Sequence, residues 1–266
     1  MPPNRRCAVP SEGTNLSRRS QQTIRNRILG ALPPTEFAAL AQSLAPVELV
    51  LGETLHRAGE PIDYLFFPET GFISALAVLS DGNPIEIGLI GAEGVAGVSV
   101  ILGATASYCE TMCQTGGPAH RLAVGEFKEM VARSPVLHDL LLRYVHVFQV
   151  QVSQTAACNA HHDVSQRLAR WLLAAHDRSG SPELSLTQDL IAVMLGVRRA
   201  TVSVAAGVLQ KAGVIRYQHG HIKIVDRPGL ENAARECYQS VAAEYRRMLG
   251  IDPAVVAAAT LALPAA

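Results

Sequence analysis

The apolar positions of this chain fall into three textures. From Val47 to about Val124 they come in short runs rich in Val, Ile, Leu and Phe, broken at Gly52, Gly59, Gly71, the turn "SDGN" and Gly91. Short apolar runs punctuated by turn residues predict the strands of a sandwich or barrel. From Pro135 to about Ala160 there is no internal Gly or Pro, and Leu141, Val145, Phe148, Val152 and Thr155 step by three and four. That spacing predicts one long helix with an apolar stripe. The stripe can cover the chain's own β domain or meet a second copy of the chain. Ahead of the strands, "TIRNRILGALPPTEFAALAQSLAPVEL" reads as two short helices broken at Pro33 and Pro34.

The third texture starts at Asp163. "DVSQRLARWLLAAHDRSG" is an amphipathic helix stopped by Gly180. Thr187 is placed to cap the next helix, "QDLIAVML", with Asp189 in its first turn. Gly196 supplies a left-handed stop, and a further helix runs from about Arg198 to Ala212, burying Val202, Ala205, Ala206, Val208 and Leu209. "VIRYQHGHIKIVD" then reads as a hairpin turning at His219-Gly220. Helix, tight turn, helix and hairpin make a winged helix-turn-helix. Arg198 and Arg199 stand at a helix N-terminus, where cations are unfavourable to the helix itself. An external anion resolves that conflict, so both are expected to meet DNA phosphates or guanine edges. Thr201 and Ser203 can reach phosphate or a base, Gln188 can donate to the backbone, and Lys211, His219 and His221 add polar and basic character around the wing.

Charge sharpens this picture. The 266 residues carry no formal net charge, yet residues 46–133 hold four basic and eleven acidic side chains, whereas residues 162–228 hold nine basic and five acidic. An acidic front half beside a basic back half suits a polyanion-binding module joined to a second unit. The five cysteines are odd in number and form no CxxC pair, and "MPPNRRCAVPSEGTNLSRRSQQ" is polar throughout. Reduced thiols, a cytoplasmic location and no membrane partner are expected. Cys158 with His161-His162 offers metal-ligand types, but a polar link between two modules supplies the same residues, and no metal is expected there. No P-loop, nucleophile elbow or HExxH is present, so an enzyme is not expected.

Taken together, "LTQDLIAVMLGVRRATVSVAAGVLQKAGVIRY", its Gly196 turn and its Thr201-Val202 pair resemble the Crp/Fnr family of bacterial transcription regulators, over about Leu49 to Cys237. The resemblance implies an α+β chain with five parts. These are a basic arm and short helices (1–45), a cyclic-nucleotide-binding-like jelly roll (46–133), a dimerisation helix (134–161), a winged helix-turn-helix (162–228), and a C-terminal helix beside the wing with an alanine-rich tail (229–266). It also implies a homodimer on two-fold double-stranded DNA, an effector of unidentified chemistry, RNA polymerase as a further partner, and rotation about a hinge near Asn159–Asp163.

Departures are equally informative. Arg199 matches the family's first base-reading Arg, while Ala200 and Val204 replace two customary readers. The effector pocket would include Glu93, Gly94, Tyr108 and Cys109, but no Arg or Lys lies between Glu93 and Arg121 to hold a cyclic phosphate. That argues against cyclic nucleotide, and the lone N-terminal Cys7 argues against an iron–sulfur cluster. The rival reading is a ligand-binding module that acts through protein contacts and uses its winged helix as a scaffold.

Overall fold

The computed structural model describes residues 21–252, so Cys7 with most of the basic arm, and the alanine-rich tail, lie outside the described residues. A 3-10 turn (Gln21–Thr23) leads into α1 (Arg27–Gly30) and α2 (Pro34–Ala41). Asn26 caps α1, accepting from the N–H groups of Ile28 and Leu29, and its own amide donates to the carbonyls of Pro68 and Gly94. Pro34 opens α2, where a missing N–H removes no helical bond.

The strands follow as β1 (Ala45–Leu49), β2 (Thr54–His56), β3 (Tyr64–Pro68), β4 (Phe72–Val78) and β5 (Pro84–Ile90). After the short α3 (Val98–Ile101) come β6 (Glu110–Thr115) and β7 (Gly117–Ala123). They pair antiparallel in two sheets, ordered β1-β7-β3 and β2-β6-β4-β5. Strand β4 is buried on both faces. Ile73 and Ala75 join the sandwich core, while Phe72 and Leu76 join a second core on the other side. Double burial explains why its sequence reads as a continuous apolar run.

Helix α4 (Val124–Arg133) leads into α5 (Pro135–His161), whose Ser134 cap accepts from Leu137 N–H. The predicted stripe divides in the folded chain. Leu141 and Phe148 pack in the sandwich core, Thr155 is buried and donates to the Gln151 carbonyl, and Val145 and Val152 are half-buried. Four of the five positions, Leu141, Val145, Phe148 and Val152, thus lie against the sandwich of their own chain.

Beyond α5, the second module consists of α6 (Val164–Ser179), β8 (Glu183–Ser185), α7 (Gln188–Leu195), α8 (Arg199–Lys211), β9 (Ile215–Gln218) and β10 (His221–Ile224). Asp163 and Gln166 form a reciprocal capping box at the start of α6, and Gly180 ends the helix in the left-handed region. The C-terminal segment corrects one expectation. It is two helices, α9 (Arg227–Ala233) and α10 (Glu236–Leu249), broken at Arg235 with φ 57°. Helix α10 does not lie beside the wing but packs on α5 and α6, burying Cys237, Tyr238, Ala242 and Tyr245. Its apolar stripe finds more cover along the long helix than the small wing offers.

Candidate DNA-binding site

The chain direction bends by 101° from α7 to α8. Thr187 Oγ1 accepts from Leu190 N–H at 3.2 Å, and Gly196 (φ 62°) closes α7 with its N–H on α7 carbonyls. The crossing is packed by Ile191, Ala192 and Leu195 against Val202, Ala205 and Leu209, over Leu168 and Leu172 of α6. Arg167 of α6 donates to the Leu195 carbonyl and fixes the end of α7.

Burial of that side leaves one face of α8 outward. Arg198 is the N-cap residue with no side-chain cap bond, and Arg198, Arg199, Thr201 and Ser203 are all exposed. Two guanidiniums and uncapped helical N–H groups therefore share one spot, an arrangement suited to an anion. Ser203 Oγ donates to Gln188 Oε1 at 2.6 Å, which turns the amide nitrogen of Gln188 outward. Arg199 Nε lies 3.7 Å from Asp189 Oδ1, with both side chains more than half exposed. Such a surface pair is worth at most ~1 kcal/mol and yields readily to a phosphate or base edge.

The remaining predicted residues ring this face. Lys211 is exposed at the end of α8, and His219 is exposed in the wing turn, where His219 and Gly220 have φ 49° and 81°. His221 Nδ1 lies 3.3 Å from Ser185 Oγ. Tyr217 is fixed instead, its hydroxyl donating to the Leu186 carbonyl and its N–H to Gln210 Oε1. Val208, expected to be buried, is 52% exposed, and Val204 is 69% exposed. Val204 lies nearly opposite the buried face of α8, as its place among the base-reading positions implies, whereas Val208 reads as a core residue in the sequence because it is apolar and adjoins Leu209.

The sandwich splits the four predicted effector residues. Tyr108 and Cys109 line a small cavity bounded by the β2-β6-β4-β5 sheet, the start of α3 and α5, together with His56, Thr111 and Phe148. Burial raises the Cys109 thiol and, with the neighbouring Cys109, the Tyr108 hydroxyl above their ordinary values. His56 is pushed down by burial, and its two ring nitrogens face Tyr64 O and Thr111 Oγ1 at 2.8 and 2.9 Å. No Arg or Lys lines this cavity. Glu93 and Gly94 are elsewhere. Glu93 Oε1 accepts from Arg178 Nε at 2.7 Å and from Gly91 N–H at 3.1 Å, and the Tyr144 ring packs directly on Gly94. Glu93 thus joins the jelly roll to α6 and Gly94 admits the Tyr144 ring of α5, and neither lines the cavity.

A second buried polar contact joins the modules. Trp171 Nε1 donates to Glu86 Oε1 at 2.7 Å, and Ser74 Oγ donates to Glu86 Oε2 at 2.5 Å. Burial drives the Glu86 carboxyl up to about 7 despite these bonds and the nearby Arg170 and Arg178. The cysteines correct another expectation. Reduced thiols are expected from the sequence, but Cys158 and Cys237, 79 residues apart, are joined as a disulfide beside His162. Cys109 and Cys113 are free and buried. Among the described residues no single helix is long and apolar enough to cross a membrane.

Comparison with known proteins agrees with this architecture. Residues 166–233 match the Crp-like helix-turn-helix domain family. The CRP-like cAMP-activated global transcriptional regulator of Mycobacterium tuberculosis is 27% identical over 217 residues, covering 78% of this chain and 96% of that one. A CRP-family transcriptional regulator of Thermus thermophilus superposes with TM-score 0.60 at 20% identity, covering 70% of this chain and 95% of that one. The c-di-GMP responsive global regulator CLP of Xanthomonas campestris gives TM-score 0.59 at 15% identity, covering 72% and 99%. Residues 166–233 are thus a Crp-like helix-turn-helix domain, and the chain as a whole is similar in sequence and in fold to transcription regulators of the Crp/Fnr type.

Proposed function

We propose that the chain acts as a homodimer that reads a two-fold DNA site with the N-terminal end of α8. The observation that carries this reading is the exposed face of Arg198, Arg199, Thr201 and Ser203, set on a rigid helix crossing with Gln188 oriented by Ser203. Arg199 is the base reader of first choice, since a bidentate Arg–guanine pair is worth about 1–3 kcal/mol of discrimination. Val204 stands where a base-reading cation is absent, and its exposed methyls suit contact with a thymine methyl. Arg198, Gln188, Lys211, His219 and His221 serve phosphates, and Arg216 and Lys223 add exposed charge on the wing.

Dimerisation uses the part of α5 that its own chain leaves outward. Leu142, Gln149 and Ala156 are exposed along one face of α5, flanked by Val145 and Val152, which are half-buried against the sandwich core. A parallel pair of such helices sets two α8 helices about one DNA turn apart, and the break at His162 is the hinge that adjusts them. The jelly roll takes an effector other than a cyclic nucleotide: relatives are named for cAMP and c-di-GMP, but the cavity here has no cation to balance a phosphate.

Selection from a random-duplex pool tests this function. The expected outcome is an inverted repeat whose half-sites lie about 10 base pairs apart. Enrichment of a single unrepeated element, or of nothing, contradicts it.

A further inference from the structure

The C-terminal end of α5 and the start of α10 bring together a soft donor set. Cys158 lies in the last turn of α5, His162 is the extended C-cap residue of that helix, and Cys237 reaches them from α10. His162 Nδ1 lies 3.4 Å from Cys158 Sγ and 3.3 Å from Cys237 Sγ. On its other side, His162 Nε2 lies 3.6 Å from Glu236 Oε1. A carboxylate on one imidazole nitrogen fixes the tautomer that leaves the other nitrogen's lone pair toward the sulfurs. Gln154 Nε2 donates to Cys237 Sγ at 3.0 Å, a bond that favours a thiolate over a neutral sulfur.

We propose that the dithiol form of this junction binds one divalent ion of the zinc class, through Cys158 Sγ, Cys237 Sγ and His162 Nδ1. Two thiolates and a dication sum to zero, so the cluster suits sulfurs that are 1% exposed. The donor types are those that zinc selects, and the fourth position is left to water or an incoming ligand. The Cα atoms stand 6.8 Å apart, at the wide end of the range of about 4.4–6.8 Å that a disulfide accepts. Small side-chain rotations then open the pair to the S···S separation of about 3.8 Å that two Zn–S bonds need. A thiol reductant converts the disulfide to two Cys–SH with release of its own oxidised disulfide, and the ion then displaces two protons. Bound metal ties α5 to α10 at the joint where α6 departs, and so stiffens the hinge.

The test uses the full chain, reduced with dithiothreitol, desalted without oxygen and titrated with Co2+. The expected result is one cobalt per chain, with thiolate-to-cobalt charge-transfer and tetrahedral visible bands that equimolar Zn2+ abolishes. Cys237→Ser should lose them. Glu236→Gln, at a side chain 72% exposed and therefore without consequence for folding, should weaken binding by about tenfold. Absent cobalt bands in the folded, reduced chain would overturn the site and leave a thiol–disulfide pair alone. Bands that persist unchanged in Glu236→Gln and Cys237→Ser would overturn it by placing the metal elsewhere.

Discussion

Glu93 of the jelly roll and Arg178 of α6 form an ion pair of 2.7 Å in which each side chain is only 4% exposed. The Tyr245 hydroxyl of α10 accepts from the same guanidinium at 3.3 Å, and Glu93 and Asp177 outweigh burial to hold Arg178 above its ordinary value. Two modules and the C-terminal helix therefore converge on one charge. Removing one partner leaves the other buried and unpaired. Arg178→Met should cost about 3–5 kcal/mol, and the double variant Glu93→Gln/Arg178→Met should recover much of it. Urea unfolding of the single and double variants checks this. A double variant no more stable than Arg178→Met contradicts the pairing.

Gly94 makes a separate prediction. A Cβ at this position would collide with the ring of Tyr144, which is fully buried. Gly94→Ala should lower stability by about 1–3 kcal/mol through overpacking, visible as a shifted urea midpoint. An unchanged midpoint would return Gly94 to the candidate effector residues.

Glu86 gives the interface a pH dependence. Its carboxyl rises from 4.5 in the unfolded chain to about 7 in the folded one, chiefly through burial. Between those values the folded chain retains a proton that the unfolded chain has released. Stability from this group is therefore fully present below pH 4.5 and is lost as pH rises through 7, by about 3 kcal/mol. Glu86→Gln keeps the acceptor for Trp171 and should remove that slope from unfolding measured at pH 5, 6, 7 and 8. A slope equal to wild type assigns the dependence to other groups.

For the dimer, Leu142→Glu with Ala156→Glu places charge on the outward face of α5 and touches no core position. Sedimentation velocity should show the wild type as a dimer and the double variant as a monomer with unchanged far-ultraviolet dichroism. A wild-type monomer at micromolar concentration contradicts the interface.

The helix-turn-helix was legible in the sequence because its signals are local. Thr187, Gly196, Gly213 and the His219-Gly220 turn each act within a few residues, and the helices begin and end within one residue of their expected bounds. The jelly roll was legible as a class, since turn residues bound every strand. What spacing did not carry was long-range pairing. The α5 stripe has the same period whether it meets a sandwich or a second chain, so Leu141, Phe148 and Thr155 could not be told from Val145 and Val152. Glu93 reads as a ligand residue until Arg178, 85 positions away, is seen to occupy it. Cys158 and Cys237 are 79 residues apart, with no motif to join them. The docking of the second module on β4 was likewise seen only once the burial of both faces of that strand was known.

Affinity measured across salt concentrations reports whether α8 reads DNA through its N-terminal end. Wild type and Arg199→Ala are titrated with the selected duplex and with a scrambled duplex. The expected log–log salt slope is near −0.9 per phosphate contacted. Arg199→Ala should lose about 5- to 150-fold on the selected duplex, with little change on the scrambled one. Binding that ignores salt, or an Arg199→Ala variant that still prefers the selected duplex as strongly as wild type, would contradict recognition by α8.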